Sequence, residues 1–90
     1  MAITNSIIEL TATAQVVVAP SNNPQRVTMH NMQKSNNNYI HYGAAGCTTA
    51  NSPHIDPGET LKLDLMPGES LFALSDPTGL DLGILIQRQP

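Results

Sequence analysis

Three histidines and one cysteine, His30, His41, His54 and Cys47, are the residues of this 90-residue chain best suited to hold a transition metal. Zinc takes four nitrogen or sulfur ligands held tetrahedrally, and structural sites bring them in closely spaced pairs. Here the intervals are 11, 6 and 7 residues, with no C-x-x-C and no H-x-x-x-H. The most favourable arrangement would set His30 and His41 face to face across a hairpin. The bland alternative is ordinary polar strand and loop positions, and the spacing favours it, so no metal and no cofactor is expected. Six carboxylates cluster late, at Asp56, Glu59, Asp64, Glu69, Asp76 and Asp81. Calcium needs oxygens converging from a tight loop such as D-x-D-x-D-G, which is missing. Asp56 and Asp76 each precede a proline, and Glu59 and Glu69 each follow Pro-Gly, so turn formation already accounts for them. No G-x-S-x-G elbow is present, and no Cys-His signature surrounds Cys47. Catalytic residues are therefore not expected, and Cys47 reads as a small buried filler.

One further constellation carries recognition chemistry. Tyr39, Tyr42 and Phe72 are the whole aromatic stock, and Tyr39 follows directly on Asn36, Asn37 and Asn38. A polar loop bearing one tyrosine suits adaptable contacts, to a protein or a glycan. It equally suits a solvated hairpin tip whose tyrosine packs on a sheet edge.

The elements that must position these residues alternate with period two. From Ile8 to Val18 every even position is apolar, while Glu9, Thr11, Thr13 and Gln15 are polar. That is one strand face, belonging to one bent strand or to two that share a register, ended by Pro20 and Pro24. The parity leaves Ile7 and Val17 on the outer face. Arg26 to Met32 alternates again with Val27 and Met29 inward, and a polar tip from Gln33 to Asn38 leads to Tyr39-Ile40-His41-Tyr42. The pair reads as a hairpin. Residues 43–53 have no period and read as a loop with a short strand. Leu61, Leu63 and Leu65 then alternate with Lys62 and Asp64, and Leu82, Ile84 and Ile86 close the chain. These six aliphatics are expected to face inward, with Leu63→Ala costing about 2–5 kcal/mol. Asp56-Pro57-Gly58-Glu59, Met66-Pro67-Gly68-Glu69 and Asp76-Pro77-Thr78-Gly79 have β-turn chemistry. The echo of Pro57-Gly58-Glu59-Thr60-Leu61 in Pro67-Gly68-Glu69-Ser70-Leu71 reads as two turn-plus-strand units of an antiparallel meander. No stretch has helical spacing. The fold expected is all-β: a single small antiparallel β-sandwich or jelly-roll-like barrel of about six to eight strands. Residues 1–24 form an N-terminal arm and long strand, and residues 25–90 the remainder of the one domain.

Composition narrows the partners. Seven acids and four bases give a net charge of −3 with only 12% charged residues. Phosphate neutralisation needs clustered Lys and Arg, so nucleic acid is not an expected ligand. No apolar run is longer than the four residues of Val16–Ala19, far too short to span a bilayer. The opening MAITNSIIEL has neither a basic region nor a continuous apolar core, so a signal peptide is not expected, and a lone cysteine fits a reducing cytoplasm. With one Phe and no Trp the core must be aliphatic and thin. Subunit contacts through Met1, Ala2 and Ile3, or through Ile7 and Val17, would add buried surface, so a dimer or trimer is expected.

The order of pieces from Arg26 onward resembles small β-rich structural proteins of tailed bacteriophages. The pieces are Val27-Thr28-Met29-His30-Asn31, Tyr39-Ile40-His41-Tyr42-Gly43, Pro57-Gly58-Glu59-Thr60-Leu61, Leu71-Phe72-Ala73-Leu74-Ser75 and Leu82-Gly83-Ile84-Leu85-Ile86. Together they cover roughly two-thirds of the chain, and nothing carries over to residues 1–23. The resemblance implies a non-enzymatic virion protein, assembled in the bacterial cytoplasm. Its role would be a capsid decoration or cement protein that binds the major capsid protein and stabilises the assembled shell. A tail or head-fibre accessory module contacting a host receptor or glycan is the alternative.

Overall fold

The computed structural model describes residues 2–34 and 37–88, with Ala2 described by its backbone alone. Among these residues the chain forms eight strands and no helix: β1 Ala2–Glu9, β2 Gln15–Val18, β3 Gln25–Asn31, β4 Tyr39–Gly43, β5 His54–Ile55, β6 Thr60–Leu65, β7 Leu71–Asp76 and β8 Asp81–Arg88. They make two antiparallel four-stranded sheets, ordered β1-β8-β3-β6 and β2-β7-β4-β5. The pairing is nested, first strand with last, second with seventh, third with sixth, fourth with fifth. Junctions β3–β8 and β4–β7 complete the two sheets. That is a jelly roll, one long antiparallel ribbon rolled onto itself. The all-β expectation holds, in its jelly-roll form.

Several finer expectations do not. β3 and β4 lie in different sheets, so the two strands do not pair as a hairpin. The late strands likewise alternate between sheets and form no meander. Period-two alternation reports which side of a strand is buried and is silent about its neighbour. The alternation from Ile8 to Val18 also breaks into two strands in opposite sheets, with a register irregularity between Val16 and Val18. A bulge there reverses the phase: Val16 is 51% exposed, while Val17 (8%) and Val18 (0%) are both in the core. Val17 therefore contributes nothing to an outer face. Within the N-terminal segment, β1 pairs along its whole length with β8 and β2 pairs with β7.

The core lies between the sheets and is aliphatic: Leu10, Val18, Val27, Met29, Ile40, Leu82, Ile84 and Ile86 among others. Leu65 is buried, whereas Leu61 and Leu63 on the edge strand β6 are half-buried and pack against the core from its rim. The cost of Leu63→Ala is lowered accordingly. Two buried amides tie the ribbon together. Gln25 donates from Nε2 to the Ala19 carbonyl (3.0 Å) and accepts at Oε1 from Arg88 Nε (2.9 Å). Asn31 donates from Nδ2 to the carbonyls of Asn38 and Ile55 (both 2.9 Å) and accepts the Gln33 N–H at Oδ1 (3.1 Å).

The repeated Pro-Gly-Glu turns share one device. Glu59 N–H donates to the Asp56 carbonyl and Glu69 N–H to the Met66 carbonyl, each at 3.0 Å. Each glutamate carboxylate then accepts the N–H of the residue that opens its turn, Asp56 (3.1 Å) and Met66 (2.6 Å). Gly58 (φ 80°) and Gly68 (φ 85°) supply the left-handed third position of a type II turn. The carboxylates are turn parts, as their spacing predicts.

Candidate interaction surface

Register and parity lay out the outer face of the first sheet row by row. Directly opposed antiparallel residues point to the same side. Ile3, Gln87, Arg26 and Asp64 form one row. Asn5, Leu85, Thr28 and Lys62 form the next, and Ile7, Gly83, His30 and Thr60 the third. The β3–β6 side is polar: Arg26 Nε meets Asp64 Oδ1 at 3.1 Å in an exposed pair, and His30 Nδ1 lies 3.0 Å from Thr60 Oγ1. The β1–β8 side of these rows is uncharged, with Asn5 and Gln87 set among apolar residues. Ile3 is 60% exposed and Ile7 63%, and half-buried Leu85 lies between them across the ladder. Gly83 leaves a gap there, and Met32, itself 42% exposed, lays its thioether over it. A methyl at position 83 would stand 3.3 Å from Met32 Sδ. The result is a patch of Ile3, Ile7, Leu85 and Met32 without a charge in its middle. Exposed apolar side chains gathered in this way make the face a candidate interaction surface.

The metal-capable residues are arranged differently from the hairpin expectation. His30 lies on the outer face of the first sheet, and His41 is in the second sheet, so the two do not face each other. His41 instead pairs with His54 across β4–β5, with ring centroids 5.5 Å apart. His54 also stacks on Tyr39 (4.7 Å) and meets Asp56 Oδ1 through Nε2 at 2.9 Å. Among the described residues no group of three His, Cys, Asp or Glu side chains converges as a metal site. His41 is buried, with Nδ1 3.3 Å from the Ser52 carbonyl under the 43–53 loop. Cys47 is a free, buried thiol in that loop. Beside it Leu74, Ala12, Thr13, Ala14 and Thr48 line an open depression of about 440 Å³.

Of the residues expected to bind partners, Ile3 and Ile7 are on the patch and Val17 is in the core. Met1 and Asn36 lie outside the described residues, as does the side chain of Ala2. Asn37 is exposed with φ 69°, and Asn38 and Tyr39 are half-buried. Tyr39 opens β4 in the second sheet and Asn37 and Asn38 lead into it, away from the β1 and β8 strands that carry the patch. Sequence reasoning missed Met32, Gly83 and Leu85. Parity alone would turn each outward, but the β1–β8 and β3–β8 registers are what gather them.

The nested strand pairing defines the fold as a jelly roll, or double-stranded β-helix. No protein-family model and no curated protein matches the sequence. Among solved structures the chain is similar to one from Bacillus endospore appendages, a family of disulfide-linked pili. The TM-score is 0.61 at 12% identity, over 94% of this chain and 80% of that one. It is also similar to a de novo designed double-stranded β-helix solved by solution NMR, with TM-score 0.51 at 12% identity over 99% and 100% of the two chains. At this identity the likeness is one of fold.

Proposed function

We propose that this chain is a non-enzymatic structural protein that works by binding within a multi-subunit assembly. On the resemblance of its strand-and-turn pattern, the assembly is the shell of a tailed phage, which it decorates and stabilises. The observation that carries the reading is the patch of Ile3, Ile7, Leu85 and Met32 on an otherwise polar sheet face. A pilus chain among the fold neighbours supports the general class, since this scaffold serves in an assembly there. The contact proposed here is non-covalent, because Cys47 is the one cysteine and is buried.

A decoration protein binds the lattice and not the loose subunit, because contacts spread over neighbouring subunits add as avidity. It stabilises the shell by mass action, since it binds the assembled state alone. With an apolar patch and only 12% charged residues, attachment survives about 0.5 M salt, at which exposed charges are screened within several Å. The test adds purified protein to shells assembled without it, then measures co-sedimentation and the shell's melting temperature with and without salt. Ile7→Ser removes apolar area from the patch and lowers co-sedimentation. Binding to bacterial surface glycans, with none to shells, would replace this reading with the receptor-module alternative.

A further inference from the structure

Each sheet has two edges, and three of the four are blocked against further pairing. β5 is two residues long, and β2 is four residues long with its register broken at Val16/Val18 and Pro20 just beyond. β6 carries Lys62 and Asp64 and is bracketed by Pro57 and Pro67. Short length, bulges, charges and proline are the devices by which natural sheets close their edges. β1 has none of them. It is eight residues long, without Lys, Arg or Pro, and its one charge, Glu9, stands at the far end. Residues 3–7 are exposed on both faces, so none of the described chain stands in the way of an incoming strand.

The ladder shows which backbone groups are free. Leu10 N–H donates to the Leu80 carbonyl (2.8 Å), in continuous register with β1–β8. Alternation then turns the N–H and C=O of the even residues toward β8, and those of Ile3, Asn5, Ile7 and Glu9 toward the open edge. We infer that this edge pairs with the same edge of a second copy, antiparallel about a two-fold axis at Asn5. In that register Ile3 faces the second copy's Ile7, Asn5 faces its counterpart, and Thr4 faces Ser6 on the other side. Apolar meets apolar, hydroxyl meets hydroxyl, and no like charges oppose, which is what stabilises cross-strand pairs. Three hydrogen-bonded residue pairs exchange about six backbone hydrogen bonds. The register shifted by two would set Ile3 against Glu9 and Asn5 against Ile7, and so matches fewer like pairs. The two sheets join into one of eight strands. This pairing is independent of the shell reading, as mass in solution and shell binding are separate measurements.

Light scattering on the full chain, at concentrations up to millimolar, reads the state directly, with twice the monomer mass expected. Asn5→Pro removes a backbone donor that bonds nothing within the monomer, a change edge strands tolerate. It halves the mass while the far-ultraviolet circular dichroism is retained. Asn5→Lys keeps the donor but sets two ammonium groups face to face, and gives the same halving if proline disturbs folding. The positive arm uses Asn5→Cys in a Cys47→Ala background. Paired residues of this type lie about 5.5 Å apart at Cα, within disulfide reach, so mild oxidation yields a dimer on a non-reducing gel. Thr4→Cys, which faces Ser6 and not itself, does not cross-link. A wild-type monomer at the highest concentration, a trimer, or a dimer that persists in both Asn5→Pro and Asn5→Lys overturns the inference.

Discussion

Truncating Asn31 to alanine tests the joint that holds the two sheets together where the hairpin expectation failed. The side chain is fully buried at the end of β3, in the first sheet, yet both carbonyls it holds lie on or beside strands of the second. The Ile55 carbonyl is buried, and losing its donor costs about 1–3 kcal/mol of desolvation. The Asn38 carbonyl and Gln33 N–H are part-buried and can rehydrate, at about 0.5–1 kcal/mol each. The sum for Asn31→Ala is about 3 kcal/mol, a large share of the roughly 5–15 kcal/mol that holds a domain folded. For a domain of this size that lowers Tm by roughly 10–25 °C. Urea denaturation followed by circular dichroism measures it, with the slope against urea unchanged. A loss under about 1 kcal/mol would refute the assignment, because it would mean that neither carbonyl depends on this amide.

Asn31→Asp separates the donor from the shape. The replacement is isosteric, but it faces two carbonyl oxygens with an acceptor. Burial and that repulsion raise the carboxyl's folded-state pKa above its unfolded value of about 3.9. The folded protein then holds the proton more tightly, so the variant is closest to wild type below about pH 3.9. It loses stability as pH rises through the folded pKa. The measured quantity is the stability difference from wild type across pH. A difference independent of pH would show that the amide hydrogens are not what the fold uses.

The remaining predictions concern other joints. Leu82→Ala, at 0% exposure in the core, costs about 2–5 kcal/mol. Leu63→Ala on the rim costs about 1–2 kcal/mol, and urea titrations giving the reverse order would contradict the burial assigned to β6. Ser75 Oγ is buried with no hydrogen-bond partner, so Ser75→Ala leaves stability unchanged or raises it by up to about 1 kcal/mol. Gly68→Ala forces a Cβ into a left-handed turn position and costs about 1–2 kcal/mol, read as a drop in Tm.

The sequence was explicit about local geometry and nearly mute about partners. Alternation at Arg26–Met32 and Leu82–Ile86, and the Pro-Gly-Glu turns, correspond to β3, β8 and the glycine φ values at 58 and 68. The nested pairing was not legible, because each strand's pattern is satisfied by any partner that covers its apolar side. The bulge in β2 erased the phase at Val17, since three consecutive valines cannot signal which of them turns outward. Asn31 was visible as a letter but not as a clamp, because its acceptors come from the tip and from β5. Ile7 was legible as an odd-phase apolar residue and Ile3 as part of the N-terminal arm, and Met32 and Leu85 join them only through the β8 ladder.

What remains is why isoleucine stands on β1 at all. Thr4 and Ser6 share the inner side with Ile8, opposite buried Ile86 and Ile84, yet both are exposed. The first half of β1 therefore overruns the second sheet and covers little core, so its apolar residues stabilise the monomer hardly at all. A local choice that the monomer does not use points to a surface that something else does. If both proposals hold, edge pairing and the outer patch act together on the shell. Joined at Asn5 as inferred above, two copies set each Ile3 beside the other's Ile7 in two apolar pairs that flank the central asparagines, so the proposed dimer offers the patch twice to a repeating lattice. Two linked sites gain avidity of order a hundredfold over one. Asn5→Pro, which breaks the edge and spares the patch, should weaken shell binding by about that factor without abolishing it. Ile7→Ser, which damages the patch in every copy, should weaken binding at each site, including that of the Asn5→Pro monomer. Equal shell affinity for the wild-type dimer and the Asn5→Pro monomer would mean that the edge and the face serve separate partners.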